Sequence, residues 1–228
     1  MKNEFAQLQE LLGYKFNDIS LLEQALCHKS YINESKRNIL CYERLEFLGD
    51  SVLSVVVSRY IYDNYSSFPE GELTKLRASV VCENTLSDVA RKLNIGAWIL
   101  LSKGEKQSGG DDKDAILCDV FESIIAAIYL DSDMSCAKQF ILDNLTDIII
   151  EQAKLGNDSN DYKTNLQELV QQRGHDVDYK IVSESGPDHA REYEAAVYIN
   201  GKLVSTGIGS SKKKAQQDAA KNALVKYQ

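Results

Sequence analysis

Histidine, proline and tryptophan are all scarce in this 228-residue chain, with three, two and one copies. His28, His175 and His189 stand apart in the sequence, so no histidine pair is placed for acid–base catalysis. No apolar run approaches a membrane span, and the segment from Met1 to Gln7 lacks the apolar core of a secretion signal. A cytoplasmic protein with no membrane partner is the expectation. The five cysteines are odd in number, widely spread and free of any Cys-x-x-Cys pair, which excludes zinc clips and dithiol redox chemistry and leaves reduced, structural thiols. A hydrophobic content of 43% suffices for ordinary packed cores, in one large domain or two smaller ones.

What the chain has in excess is negative charge, and it is unevenly spread. Residues 1–155 carry 16 basic and 24 acidic side chains, whereas residues 156–228 carry 10 of each. A net charge of -8 alone argues against a nucleic-acid partner, yet Lys212, Lys213 and Lys214 are consecutive and make a local positive patch.

The acidity is concentrated where it is costly. In Glu-Arg-Leu-Glu-Phe-Leu-Gly-Asp, residues 43–50, Glu43, Glu46 and Asp50 fall at i, i+3 and i+7 on one stripe of a predicted helix. Asp119 and Glu122 repeat the i, i+3 spacing within Ile116-Leu117-Cys118-Asp119-Val120-Phe121-Glu122. An acidic doublet on a helix is most often a solvated face. Here Leu45, Phe47 and Leu48 flank the first set, and Ile116, Leu117, Val120, Phe121, Ile124, Ile125 and Ala126 the second, so both helices read as buried on most sides. Carboxylates in apolar surroundings need a partner, and two such helices converging form a hard-oxygen site suited to Mg²⁺ or Mn²⁺.

Helical periodicity runs through residues 19–30, 43–64, 72–80, 83–94, 114–130 and 134–153, giving an all-α first domain. Residues 102–114 read as a polar loop delivering the chain to the second acidic helix. Residues 155–160 are small and polar, and are expected to link a domain over 1–154 to one over 161–228. The second is a small α+β unit in the order α-β-β-β-α. It has a helix near 163–173, an alternating strand over 177–183, a second strand through Tyr193, Ala195, Val197 and Ile199, and the hairpin dipeptide Asn200-Gly201 leading into a third strand. A last helix, capped by Ser210 or Ser211, carries a stripe of small residues at Ala215, Ala219, Ala220 and Ala223.

Two faces of this unit suit nucleic acid. The three lysines on the first turn of the last helix, beside free N–H groups, make an anion site for phosphates. Thr164, Gln167, Glu168 and Gln171 share one face of the first helix, a hydrogen-bonding surface of the kind that reads a shallow groove lined by 2′-hydroxyls.

The stretch Glu-Arg-Leu-Glu-Phe-Leu-Gly-Asp-Ser-Val-Leu at 43–53 resembles the signature of bacterial ribonuclease III, and the likeness spans almost the whole chain. It continues in His28-Lys29-Ser30, Leu73 to Ala78, Asp119 to Glu122, Ile128 to Asp131 and Asp161 to Thr164. Gly186-Pro187-Asp188-His189 and Ser211 to Ala215 are similar to the family's double-stranded-RNA-binding domain. The resemblance implies a homodimeric, Mg²⁺-dependent endonuclease, with Mn²⁺ able to substitute. It would cut double-stranded RNA to leave 5′-phosphate and 3′-hydroxyl ends, process ribosomal and other structured precursors, and take no small-molecule substrate. It implies Glu46, Asp50, Asp119 and Glu122 as metal ligands, Asp50 and Glu122 as catalytic, Glu43 in substrate or interface contacts, Phe47 at the dimer interface and His189 in the loop that enters the RNA minor groove.

Some positions depart from the family. Asp111 and Asp112 stand where a basic residue is common, which is expected to weaken RNA contact from that loop, and Cys27, Cys118 and Ala126 replace other small residues. Two further readings remain: an RNA binder that kept the fold without the chemistry, and a metal phosphohydrolase of small nucleotides. Retention of all four acidic positions speaks against the first. The second leaves the C-terminal domain without a purpose.

Overall fold

Apolar residues recurring every three to four positions fold the first part of the chain into helices. These are α1 (Ala6–Leu12), α2 (Ile19–Ala25), α3 (Lys29–Ser35), α4 (Glu43–Asn64), α5 (Glu70–Val80), α6 (Glu83–Lys92), α7 (Lys103–Gln107), α8 (Asp114–Asp131) and α9 (Met134–Asp158). The computed structural model describes residues 5–35, 39–158, 162–187 and 191–227. The chain divides into two units, Met1–Gly156 and Asn157–Gln228.

The first unit is assembled around α8. That helix is apolar nearly all round, and Phe121, Ile124, Ile125 and Ile128 are wholly removed from water, each stabilising the fold by about 1.5–3 kcal/mol relative to exposure. It packs against α2, α4 and α6. Ser123 fastens it to α2 by donating its hydroxyl to the Ala25 carbonyl at 2.7 Å. At the other end Asp131 accepts from the Tyr14 hydroxyl at 2.8 Å and from the backbone N–H groups of Asn17 and Asp18 at 2.9 and 2.7 Å.

The helix expected over 19–30 is broken. The carbonyl of Leu26 accepts from Leu100 N–H at 2.8 Å and His28 N–H donates to the Leu100 carbonyl at 3.1 Å, so residues 26–28 run as a short bridge beside Leu100 before α3 begins. His28 then accepts the Ser30 N–H on its Nδ1 and holds the start of α3. The polar loop over 102–114 also contains regular structure. Ser102 caps α7 by accepting the Glu105 N–H at 3.2 Å, and a single 3₁₀ turn spans Gly110–Asp112.

The second unit comprises α10 (Tyr162–Gln172), β1 (Val177–Ser185), β2 (Glu192–Ile199), β3 (Lys202–Gly209) and α11 (Lys212–Tyr227), with an antiparallel sheet in the order β1-β2-β3. Asn200 and Gly201 have φ of 49° and 75°, the left-handed pair that a two-residue hairpin matched to strand twist requires. Ala215, Ala219, Ala220 and Ala223 lie buried with Leu166, Val170, Ala195 and Val197. The small stripe thus brings α11 close enough for the Ser205 hydroxyl to reach the Ala219 carbonyl at 2.7 Å. Of the two candidate caps, Ser211 accepts the Lys214 N–H at 3.2 Å. α9 continues to Asp158, so the polar run read as a linker from residue 155 starts as helix; backbone hydrogen bonding along a helix needs no apolar face to continue it.

Candidate metal centre and nucleic-acid interface

The acidic stripe of α4 and that of α8 meet because of a glycine. A Cβ placed on Gly49 would lie 1.9 Å from the carbonyl oxygen of Glu122, so only glycine lets the two backbones approach this closely. The crossing sets Glu46 and Asp50, on either side of Gly49, beside Asp119 and Glu122. Glu46, Asp119 and Glu122 are half-buried, and Asp50 is exposed at the rim.

The electrostatics record the convergence. Burial raises the Glu122 carboxyl first, and the negative charges of Asp50, Asp119 and Glu46 raise it further, to about 8. Asp119 is raised chiefly by burial, although the Tyr42 hydroxyl, donating to its Oδ2 at 3.1 Å, works against that. Glu46 is raised by burial and then by Asp119, with smaller contributions from Glu43 and Asp50. In all three the charged form is disfavoured relative to a free carboxylate, the condition a divalent cation relieves. The all-oxygen donor set therefore fits Mg²⁺ or Mn²⁺. Among the described residues, no three acidic, histidine or cysteine side chains close into a ready-made metal cage.

Glu43 behaves differently from the other members of its stripe. Lys29 Nζ lies 3.2 Å from its Oε1 and Cys41 Sγ donates to its Oε2 at 3.5 Å, which lowers its pKa. The positive charge that the stripe called for is thus supplied from within the protein at Glu43. Phe47, one turn on from Glu43 along the same helix, is 77% exposed, well outside the core.

Asp112 of the acidic loop is engaged locally. The guanidinium of Arg91 on α6 donates to Asp112 Oδ1 at 2.7 Å, to the Asp112 carbonyl at 2.8 Å and to Asp114 Oδ1 at 2.5 Å. Asp112 therefore anchors the approach to α8, a use invisible in the sequence because Arg91 is distant along the chain.

In the second unit Thr164, Gln167, Glu168 and Gln171 are all exposed on α10, opposite the buried Leu166 and Val170. Lys212, Lys213 and Lys214 are exposed on the first turn of α11. His189 lies outside the described residues. Lys163 stands over the Tyr179 ring at 4.7 Å and donates to Gln216 Oε1 at 3.0 Å, tying the start of α10 to α11.

Residues 18–149 match the model of ribonuclease-III-like domains, and residues 162–227 that of the double-stranded RNA binding motif. Ribonuclease 3 of Clostridium kluyveri is 46% identical over 225 residues, covering 98% of this chain and 91% of that protein. Ribonuclease 3 of Enterococcus faecalis is 45% identical, covering 96% and 95%. The chain belongs to the ribonuclease III family. The solved nuclease domain of Campylobacter jejuni ribonuclease III, 41% identical, aligns with a TM-score of 0.59 over 64% of this chain and 96% of that one.

Within this ribonuclease III framework, sequence reasoning missed Tyr42. It immediately precedes the acidic signature and is 4% exposed, but its partner Asp119 is 77 positions away. Nothing in local spacing signals that contact. Arg91 was missed for the same reason. Gly49 lies within the signature, yet its function as the contact point of two helices emerges only from the packing.

Proposed function

We propose that this chain is a divalent-metal-dependent endoribonuclease that hydrolyses phosphodiester bonds in double-stranded RNA, with catalysis in residues 1–154 and duplex binding in residues 161–228. The observation that carries the reading is the Glu122 carboxyl, drawn out of water among Asp50, Asp119 and Glu46 and pushed up to about 8. Glu46, Asp50, Asp119 and Glu122 are the residues that would hold Mg²⁺, or Mn²⁺ in its place. When bound, the cation supplies positive charge against the phosphate and makes a nearby water more acidic.

The protein's own contribution is to gather those carboxylates, keep them partly dry and leave the rim at Asp50 open. Among the described residues no histidine pair is placed to activate a 2′-hydroxyl, and the His28 ring is engaged at Ser30, 2.8 Å from its Oγ. The family likeness implies water as the nucleophile: its oxygen bonds to phosphorus, the P–O3′ bond breaks and a proton ends on O3′, leaving 5′-phosphate and 3′-hydroxyl ends. Thr164, Gln167, Glu168 and Gln171 lie against the minor groove while Lys212, Lys213 and Lys214 hold phosphates. His189 adds a contact in the groove. Glu43, at the mouth of the acidic stripe, meets substrate. Structured precursors, ribosomal RNA among them, are the expected substrates.

A second copy of the chain completes the enzyme. Phe47, Val55 and Tyr62 are 77%, 61% and 70% exposed and recur along one stripe of α4, an apolar ridge that isolated surface residues do not make. A region involved in dimer formation is described for the nuclease domain of Campylobacter jejuni ribonuclease III, 40% identical to this chain. Among the described residues no helix is long and apolar enough to cross a membrane, and the cytoplasm is the proposed compartment.

The test is an end-labelled RNA duplex incubated with the protein in Mg²⁺, with Ca²⁺ and chelator controls and a single-stranded RNA alongside. Mg²⁺-dependent shortening of the duplex alone is the expected result. A duplex retarded but intact in every condition would replace the nuclease by a binder.

A further inference from the structure

We propose that Tyr42 is a positioning residue of the cation site, its hydroxyl orienting the Asp119 carboxylate against the first turn of α4. The inference rests on the metal reading of the four carboxylates above. Tyr42 is 4% exposed and held from several sides. Its N–H donates to the Cys27 carbonyl at 3.0 Å, its carbonyl accepts from Leu45 and Glu46 N–H at 2.7 and 2.9 Å, and its ring is tilted against that of His28 with centroids 5.8 Å apart.

From this fixed frame the hydroxyl reaches Asp119 Oδ2 at 3.1 Å. One residue therefore touches both helices of the site, through its backbone on the Glu46 side and through its side chain on the Asp119 side. An aspartate with no such donor turns freely about its last torsion, which for a terminal sp³–sp² bond has broad minima. The contact that Asp50 receives, from the Ser54 hydroxyl at 3.4 Å, is longer and exposed. Asp119 is thus the carboxylate whose plane is set by a buried, rigid donor, while Asp50 keeps the freedom to follow the cation and the substrate. Outer partners of this kind act on metal affinity through the ligand they hold, and their loss costs about 10–100-fold.

The experiment compares the full-length protein with Tyr42→Phe, which keeps the ring and removes only the donor. Mn²⁺ binding is read from the paramagnetic resonance signal of the free ion, folding from circular dichroism melts, and the Mg²⁺ dependence of duplex cleavage in parallel. We expect the Mn²⁺ Kd and the Mg²⁺ half-saturation both to rise by about 10–100-fold, with the melt preserved and most of kcat recovered at saturating Mg²⁺. A Tyr42→Phe protein that binds Mn²⁺ as wild type does overturns the inference alone. Loss of affinity accompanied by loss of helical signal overturns it in favour of a purely structural tyrosine. Wild type that binds no Mn²⁺ takes down the reading of the carboxylates, and this inference with it.

Discussion

The crossing of α4 and α8 and the first turn of α11 each concentrate charge of one sign, but they treat water in opposite ways. Lys212, Lys213 and Lys214 stand exposed, where their repulsion is screened and their attraction for phosphate reaches outward. Glu46, Asp119 and Glu122 are half-buried, and all three carboxyls are raised, first of all by burial, with Asp119 adding to the rise at both glutamates. Charge that finds a partner at a distance stays solvated. Charge that must hold a small hard cation is drawn out of water, at a cost in stability that the surrounding core, led by α8, has to carry.

If the contrast holds, damage to the first region should abolish chemistry and spare binding, and damage to the second should do the reverse. The largest effect is expected from Glu122→Gln. If loss of an outer partner costs about 10–100-fold, loss of a ligand costs more than about 100-fold, so cleavage should fall at least that far while a gel still shows the duplex retarded. Normal cleavage would remove Glu122 from the ligand set.

Gly49→Ala comes next. Its methyl would meet the Glu122 carbonyl at 1.9 Å, and overpacking of this kind destabilises by about 1–3 kcal/mol, here at the upper end because the obstacle is backbone. A denaturant melt of the first unit should move by that amount, with cleavage lost as the helices separate.

Replacing Lys212, Lys213 and Lys214 together by alanine should weaken duplex binding by about tenfold or more and reduce its salt dependence by about one log–log unit per lost phosphate contact. Cleavage at saturating duplex should stay near wild type. A fall in kcat with unchanged affinity would blur the division between the two regions.

The smallest effect is a slope. Glu122 goes from an ordinary value of 4.5 to about 8 on folding without metal, so between those limits the folded state binds the extra proton and stability falls as pH rises. Discounted for its partial exposure, the loss is about 1–2 kcal/mol, or roughly 2–8 °C in the melting of metal-free protein between pH 5 and 8. Glu122→Gln should flatten that slope, and Mg²⁺ should reverse it in wild type.

Much of this arrangement is written in short-range pattern. The i, i+3, i+7 stripe over Glu43, Glu46 and Asp50, the apolar neighbours of Asp119 and Glu122, and the Asn200-Gly201 hairpin are all local. The sequence hides what depends on residues meeting from afar. The break after Ala25 exists because Leu100 takes the backbone bonds of Leu26 and His28, and no propensity of residues 19–30 announces it. The loop over 102–114 reads as polar because its order comes from the Ser102 cap and from Arg91, not from an apolar stripe. The sequence shows the acidity of Asp112 but not its hold on Arg91. Tyr42 looks like one more core aromatic until Asp119 is placed beside it.

The knot at Asp131 carries a consequence for how the chain is made. Its carboxylate gathers Tyr14, Asn17 and Asp18, and the separation from Asn17 is 114 positions. At ribosomal speeds of about 5–20 residues per second, the N-terminal segment waits roughly 6–23 s for its partner to be synthesised. Glu46 and Asp50 likewise leave the ribosome about 70 residues ahead of Asp119 and Glu122, so the four carboxylates can gather only once α8 has been made.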